Sequence, residues 1–162
     1  MSAKAVLLFC MLLVTRLGQL DLGARLDRGQ VPKRSKASCA SGPSQTYPCI
    51  SLTLEGVKFT VGYDEKSLLI KYLSTQDKNF RTPEGLQVGA VMTMGEDQLM
   101  AVPGWKVLGP RAKSGWRPVL GDMLLNHQVQ FSDGTVIDLT QPHQNPPRTG
   151  ELVILELEKG GV

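Results

Sequence analysis

Residues 75–105 read TQDKNFRTPEGLQVGAVMTMGEDQLMAVPGW. This stretch holds the densest turn chemistry in the chain and has strand-like segments on both sides, so its reading decides the fold class. Asp77 to Glu84 reads as loop, with Phe80 as the one apolar residue able to plug the core edge. Thr82-Pro83-Glu84-Gly85 is a turn signature, because proline sets φ to about −65° and glycine accepts a positive φ. Thr93 and Glu96 stand at capping-box spacing, the hydroxyl placed to accept from the Glu96 N–H and the carboxylate placed to reach back. Glu96 and Asp97 suit a first helical turn, Leu99, Met100 and Val102 supply a buried face, and Pro103-Gly104 stops the helix. The expectation is one short capped helix near 93–102, with Gly95 weakening it by ~1 kcal/mol relative to alanine. Met92, Met94 and Met100 read as core filling ahead of an adaptable binding surface.

On the N-terminal side the pattern has period two. Ile50, Leu52 and Leu54 alternate with Ser51, Thr53 and Glu55, and Val57, Phe59 and Val61 alternate with Lys58 and Thr60. With Glu55-Gly56 between them, residues 50–63 predict a hairpin. Leu68 to Thr75 fits a helical face through Leu68, Leu69, Tyr72 and Leu73, and a strand face through Leu68, Ile70 and Tyr72; the hairpin before it favours strand. On the C-terminal side, Trp105 to Leu108 predicts a strand, and Trp116 to Leu120 an edge strand, since Pro118 has no N–H for a ladder. Residues 127–140 predict a hairpin turning at Asp133-Gly134, and residues 141–150 a proline-rich loop. Leu152 to Leu155 is an apolar run expected in a central strand buried on both faces. The fold class is therefore read as α+β: mainly antiparallel β, hairpins and a meander, with the one helix.

Seventeen glycines and ten prolines in 162 residues fit short elements joined by many turns, and the length fits one globular core. The first residues carry Lys4 and then ten apolar residues, Ala5 to Val14, followed by Arg16. That order predicts an export signal rather than a buried helix, and the run is short of the ~20 residues that span a bilayer. Residues 1–24 are read as this leader. Its cut is weakly written, because Leu22-Gly23-Ala24 puts a large side chain where a small one is preferred, so an attached signal anchor stays open. Residues 25–38 read as a basic linker, and 39–162 as a single disulfide-stapled domain. Of 18 basic residues, 7 lie in 1–38 with 2 of the 15 acidic ones, which leaves 11 basic and 13 acidic, a net charge of −2, in 39–162. The domain thus has no basic footprint for nucleic acid.

Cys10 lies inside the leader core. Cys39 and Cys49 remain as an even pair flanking Gly42-Pro43 and Pro48, turn residues that bring the sulfurs together, so a structural disulfide is expected in an oxidising compartment. Metal binding would need further Cys or His close by, and His127 and His143 are distant in sequence.

Gly62-Tyr63-Asp64, YLSTQD (72–77) and FRTPEGLQVG (80–89) loosely resemble small exported bacterial proteins of uncharacterised function that carry a T-x-D-x-x-F-x-T-x-E-G-L-x-V-G segment, here residues 75–89. The resemblance covers about residues 57–158 and implies a compact α+β exported domain, secreted or periplasmic. It transfers no catalytic residue. The chain departs from that pattern at Leu69 to Leu73, where a glycine-broken strand is expected.

No glycine-rich phosphate loop, H-E-x-x-H or G-x-S-x-G is present. The sequence therefore assigns no catalytic residue, metal ligand or cofactor. Its leading functional reading is an exported domain with a binding or envelope-structural role and a protein or peptide as partner, without nucleic acid and without membrane beyond the export signal. An alternative is a PDZ-like or strand-edge peptide-binding module, on the faint echo in Ser114 to Leu125 of a G-x-x-x-G-D-x-I-L turn. A weaker one is a hydrolase built around His143.

Overall fold

The computed structural model describes residues 16–33, 37–42, 45–102, 106–121 and 127–160. Its centre is an eight-stranded antiparallel sheet. In chain order the strands are β1 (Ser38–Gly42), β2 (Gln45–Leu54), β3 (Val57–Tyr63), β4 (Ile70–Thr75), β5 (Val91–Gly95), β6 (Met100–Ala101), β7 (Val107–Leu108), β8 (Trp116–Gly121), β9 (Gln128–Gln130), β10 (Val136–Asp138), β11 (Thr149–Val153) and β12 (Glu156–Lys159). The large sheet runs β1-β2-β3-β4-β12-β8-β7-β6, while β5 pairs β11 and β9 pairs β10 in two separate ribbons.

The β2–β3 hairpin follows from its alternation. Val57, Phe59 and Val61 are buried, Lys58 is exposed, and Leu54 pairs with Val57 across Glu55-Gly56, both of which have positive φ. That is the twist a two-residue hairpin turn needs, and Gly56 supplies it without a Cβ penalty. Residues 70–75 are strand, with Val61 opposite Leu73. The core gathers Phe59, Val61, Leu73 and Leu157 from the large sheet with Met94, Val129, Ile137 and Leu152 from the ribbons, and Phe131 from just past β9. Phe80 closes its edge, stacked between Phe59 and Trp116 with ring centroids at 5.2 and 5.0 Å.

The expected helix at 93–102 is not formed, and the fold is mostly β rather than α+β. Thr93 lies in β5 opposite Glu151, and Glu96–Gln98 is a single 3-10 turn leading into β6. The apolar spacing allowed either outcome: Met92 and Met94 turn inward while Val91 and Thr93 face out, which is period two. A lone helix of this length does not sustain itself without an apolar face to bury. The would-be cap is used otherwise. The Glu96 carboxylate accepts from the backbone N–H of Gln144 and Arg148, holding the proline-rich loop, and Gln98 accepts from the Gly95 N–H at 2.9 Å. Pro103-Gly104 and Trp105 lie outside the described residues.

Two strand readings also change. β8 is not an edge strand but lies between β12 and β7. The Pro118 carbonyl accepts from Gly109 on the β7 side, so the missing N–H faces the irregular end of that short ladder, where proline costs least. The Leu152–Leu155 run is not one central strand. It breaks between β11 and β12, with Ile154 buried and Leu155 exposed, and the central strand is β12 with its two glutamates. The segment read as leader end and basic linker carries core residues as well, since Leu20, Ala24 and Leu26 are buried against the sheet.

Cys39 and Cys49 are disulfide-bonded, with Cα atoms 5.7 Å apart, and the bond ties β1 at the sheet edge to β2. Reducing it should lower the unfolding free energy by ~2–3 kcal/mol in the chain-entropy model. Urea unfolding with and without reductant checks this: neither cysteine should label in the native oxidised protein, and an unchanged midpoint after reduction would deny the bond a stapling role.

Candidate ligand-binding cleft on the polar face of the sheet

The strands that bury Phe59, Val61, Leu73 and Leu157 on one face carry a polar row on the other. Ser51 lies opposite Thr60, Thr60 opposite Ser74, Ser74 opposite Glu158 and Glu158 opposite Arg117. The alternation within β12, Glu156-Leu157-Glu158, sends both carboxylates to this face.

The Glu158 side chain is 0% exposed. Its Oε2 accepts from the Tyr72 hydroxyl at 3.1 Å and from Lys106 Nζ at 3.0 Å, and Arg117 Nε stands 4.0 Å from Oε1. Lys106 Nζ also donates to the Tyr72 oxygen at 3.2 Å and stands 3.5 Å from Glu156. Two carboxylates thus face two cations in a setting where desolvation is costly and geometry decides the balance. Burial, then the charges of Glu158 and Glu156, push the Tyr72 hydroxyl well above its ordinary value and keep it a donor. Burial likewise raises the Glu156 carboxyl, against the pull of Lys106, and the neighbouring Glu158 adds to the rise.

Glu156 opens onto a cleft of about 420 Å³, whose remaining walls come from Ser51, Lys58, Thr60, Ser74, Thr75, Gln76 and Asp77. That volume lies within the usual range for small-molecule sites. The rim is fixed by the backbone. Thr75 Oγ1 donates to the Lys58 carbonyl at 2.8 Å and accepts from Asp77 N, and the Asp77 carboxylate accepts from the N–H groups of Lys58 and Asn79. Those donors, Lys58 first, hold the Asp77 carboxyl below its ordinary value, so it stays charged. Hydroxyls, one ammonium and two carboxylates suit the binding of a polar molecule.

The residues singled out from sequence lie elsewhere. His143 is exposed in the proline-rich loop and acts on Glu96, and His127 sits beside Asp138. Glu96 and Asp138 are themselves held by backbone N–H groups. No group of three His, Cys, Asp or Glu fit to hold a metal occurs among the described residues. Of the PDZ-like echo, β8 is paired on both sides, and Asp122 to Leu125 lie outside the described residues. Sequence reasoning missed Glu156, Glu158, Lys106, Arg117 and Tyr72; the available signal was the Glu-Leu-Glu alternation at 156–158. No helix among the described residues is long and apolar enough to cross a membrane. No family model, curated protein or solved structure matches the chain.

The raised Glu156 has a consequence for stability. The folded state holds this proton more tightly than the unfolded chain, so stability falls as pH rises from the usual 4.5 up to the higher folded value, and the loss is complete beyond it. The lowered Asp64, Asp77, Asp133 and Asp138 act in the opposite sense, their contribution fading as pH drops below 3.8. Glu156→Gln should flatten the decline above pH 4.5 and leave the acid limb unchanged. Urea unfolding across pH 3–8 measures both limbs, and an unaltered slope above pH 4.5 would contradict the assignment.

Proposed function

We propose that this is an exported, disulfide-stapled binding module that takes a small polar ligand bearing an ammonium group into the cleft beside Glu156. The observation that carries the reading is Glu156 itself, a carboxylate rooted in a buried charge cluster and open to the cleft. With Asp77 it gives the walls two negative charges against the one of Lys58. A ligand ammonium gains a charge-assisted hydrogen bond there, of the kind roughly twice as strong as a neutral one. Lys58 then serves any carboxylate on the same ligand, so free amino acids fit better than simple amines. Placement outside the cytosol, secreted or periplasmic, rests on the disulfide, on the basic-then-apolar order of residues 4–14, and on the resemblance through residues 75–89.

The test is a calorimetric titration of the protein with free amino acids, polyamines and monosaccharides. Amino acids should bind, monosaccharides should not, and Glu156→Gln should weaken binding about tenfold, the worth of ~1.4 kcal/mol. Sugar binding indifferent to Glu156→Gln, or no binding across the panel, would overturn the reading.

A further inference from the structure

The N-terminal segment Leu17–Val31 closes a gap in the large sheet. β12 pairs with β4 only at Leu73–Thr75, which leaves the flank of Leu68–Lys71 away from β3 without a strand. Gly23 to Leu26 fill it. Gly23 N donates to the Ile70 carbonyl at 2.9 Å, Ile70 N to the Ala24 carbonyl at 2.8 Å, and Leu26 N to the Leu68 carbonyl at 2.9 Å, with Arg25 opposite Leu69. This is strand addition at an open edge, with the chain as its own donor.

Side chains fix the register. Leu26 is 0% exposed, and Leu20 and Ala24 are buried in the same core. Asp21 Oδ1 lies 2.8 Å from Lys159 Nζ, and that ammonium stands 6.0 Å over the Trp116 ring. Gly160, just past β12, has φ +86, and a Cβ there would lie 2.5 Å from the Lys71 carbonyl oxygen and 3.1 Å from Leu22 Cδ2. The end of β12 therefore lies close against the Lys71 carbonyl and the Leu22 side chain. Asp27 then accepts from Gly29 N, and Gln30 accepts from Asp27 N, which stops the segment in one 3-10 turn.

We infer that Leu20–Val31 is an integral part of the mature domain, pairing with the sheet through Gly23–Leu26, so that leader removal, where it occurs, falls no later than Gln19 and not after Ala24. This rests on the export reading. A cut after Ala24 would strip Leu20 and Asp21, take from Lys159 the Asp21 carboxylate, and remove both backbone partners of Ile70, the Gly23 N–H and the Ala24 carbonyl, leaving that part of the edge unpaired. Unpaired edges of that kind invite pairing with other chains.

The experiment is secretion of the full chain with its own N-terminus, followed by intact mass and N-terminal sequencing of cellular and exported material. A first residue at or before Leu20 supports the inference. A folded, monomeric product beginning between Asp21 and Val31 overturns it. Uncut protein held in the cell supports retention of the segment and defeats the export reading, so the two failures are distinguishable. Hydrogen exchange on the full chain adds an independent readout. The Leu26 and Ile70 amides should exchange slowly, and Leu26→Asp should speed Ile70 at least tenfold; exchange at the unprotected rate in the unaltered chain overturns the inference.

Discussion

Glu158 is the residue around which the rest of the sheet has to be arranged. A fully buried carboxylate is tolerated only when cations and donors surround it, because an isolated ion in a low-dielectric setting costs far more than a domain's net stability. Its partners come from three other places in the chain: Tyr72 on β4, Lys106 just ahead of β7, and Arg117 on β8. Satisfying it therefore fixes the lateral order of β4, β12, β8 and β7, four successive strands of the eight-stranded sheet. A one-residue slip of β12 would carry Glu158 to the face now occupied by Leu157 and put an unpaired charge in the core.

This requirement also divides the two faces by task. One face is closed by Phe59, Val61, Leu73 and Leu157 and packs against the two ribbons and the N-terminal segment. The other holds a charge-balanced cluster whose outer member, Glu156, opens on a cleft with a rim tied down by Thr75 and Asp77. The disulfide ties down the β1 edge, and Gly23–Leu26 pair with the start of β4 where β12 does not reach, so the strands that carry the cleft are held from both of those places.

Local features were legible in the sequence. The β2–β3 hairpin shows in its alternation around Glu55-Gly56, and the Cys39–Cys49 pairing in its spacing. The Thr82-Pro83-Glu84-Gly85 turn shows in its chemistry: Gly85 has φ +89, and Glu84 reaches across to Ser114. Residues 93–102 were misread because Thr93 and Glu96 satisfy a capping-box spacing that carries no information about whether a strand partner waits at Glu151. β8 was demoted to an edge because the Pro118 rule concerns which side lacks an N–H, and the sequence does not say which side is irregular. The site itself was hidden by distance: Tyr72 and Lys106 lie 86 and 52 residues from Glu158, and no local period links them. Leu20, Ala24 and Leu26 were hidden by irregular spacing, since a single added strand stretch repeats too few times to show alternation.

The most direct measurement is a double-mutant cycle on Lys106→Met and Glu158→Gln, followed by urea unfolding at neutral pH. If the buried pair organises the central strands, the two substitutions interact, with a coupling of about 1–3 kcal/mol. Effects that add to within ~0.5 kcal/mol would mean the two groups are energetically independent, and the role given to Glu158 would be wrong.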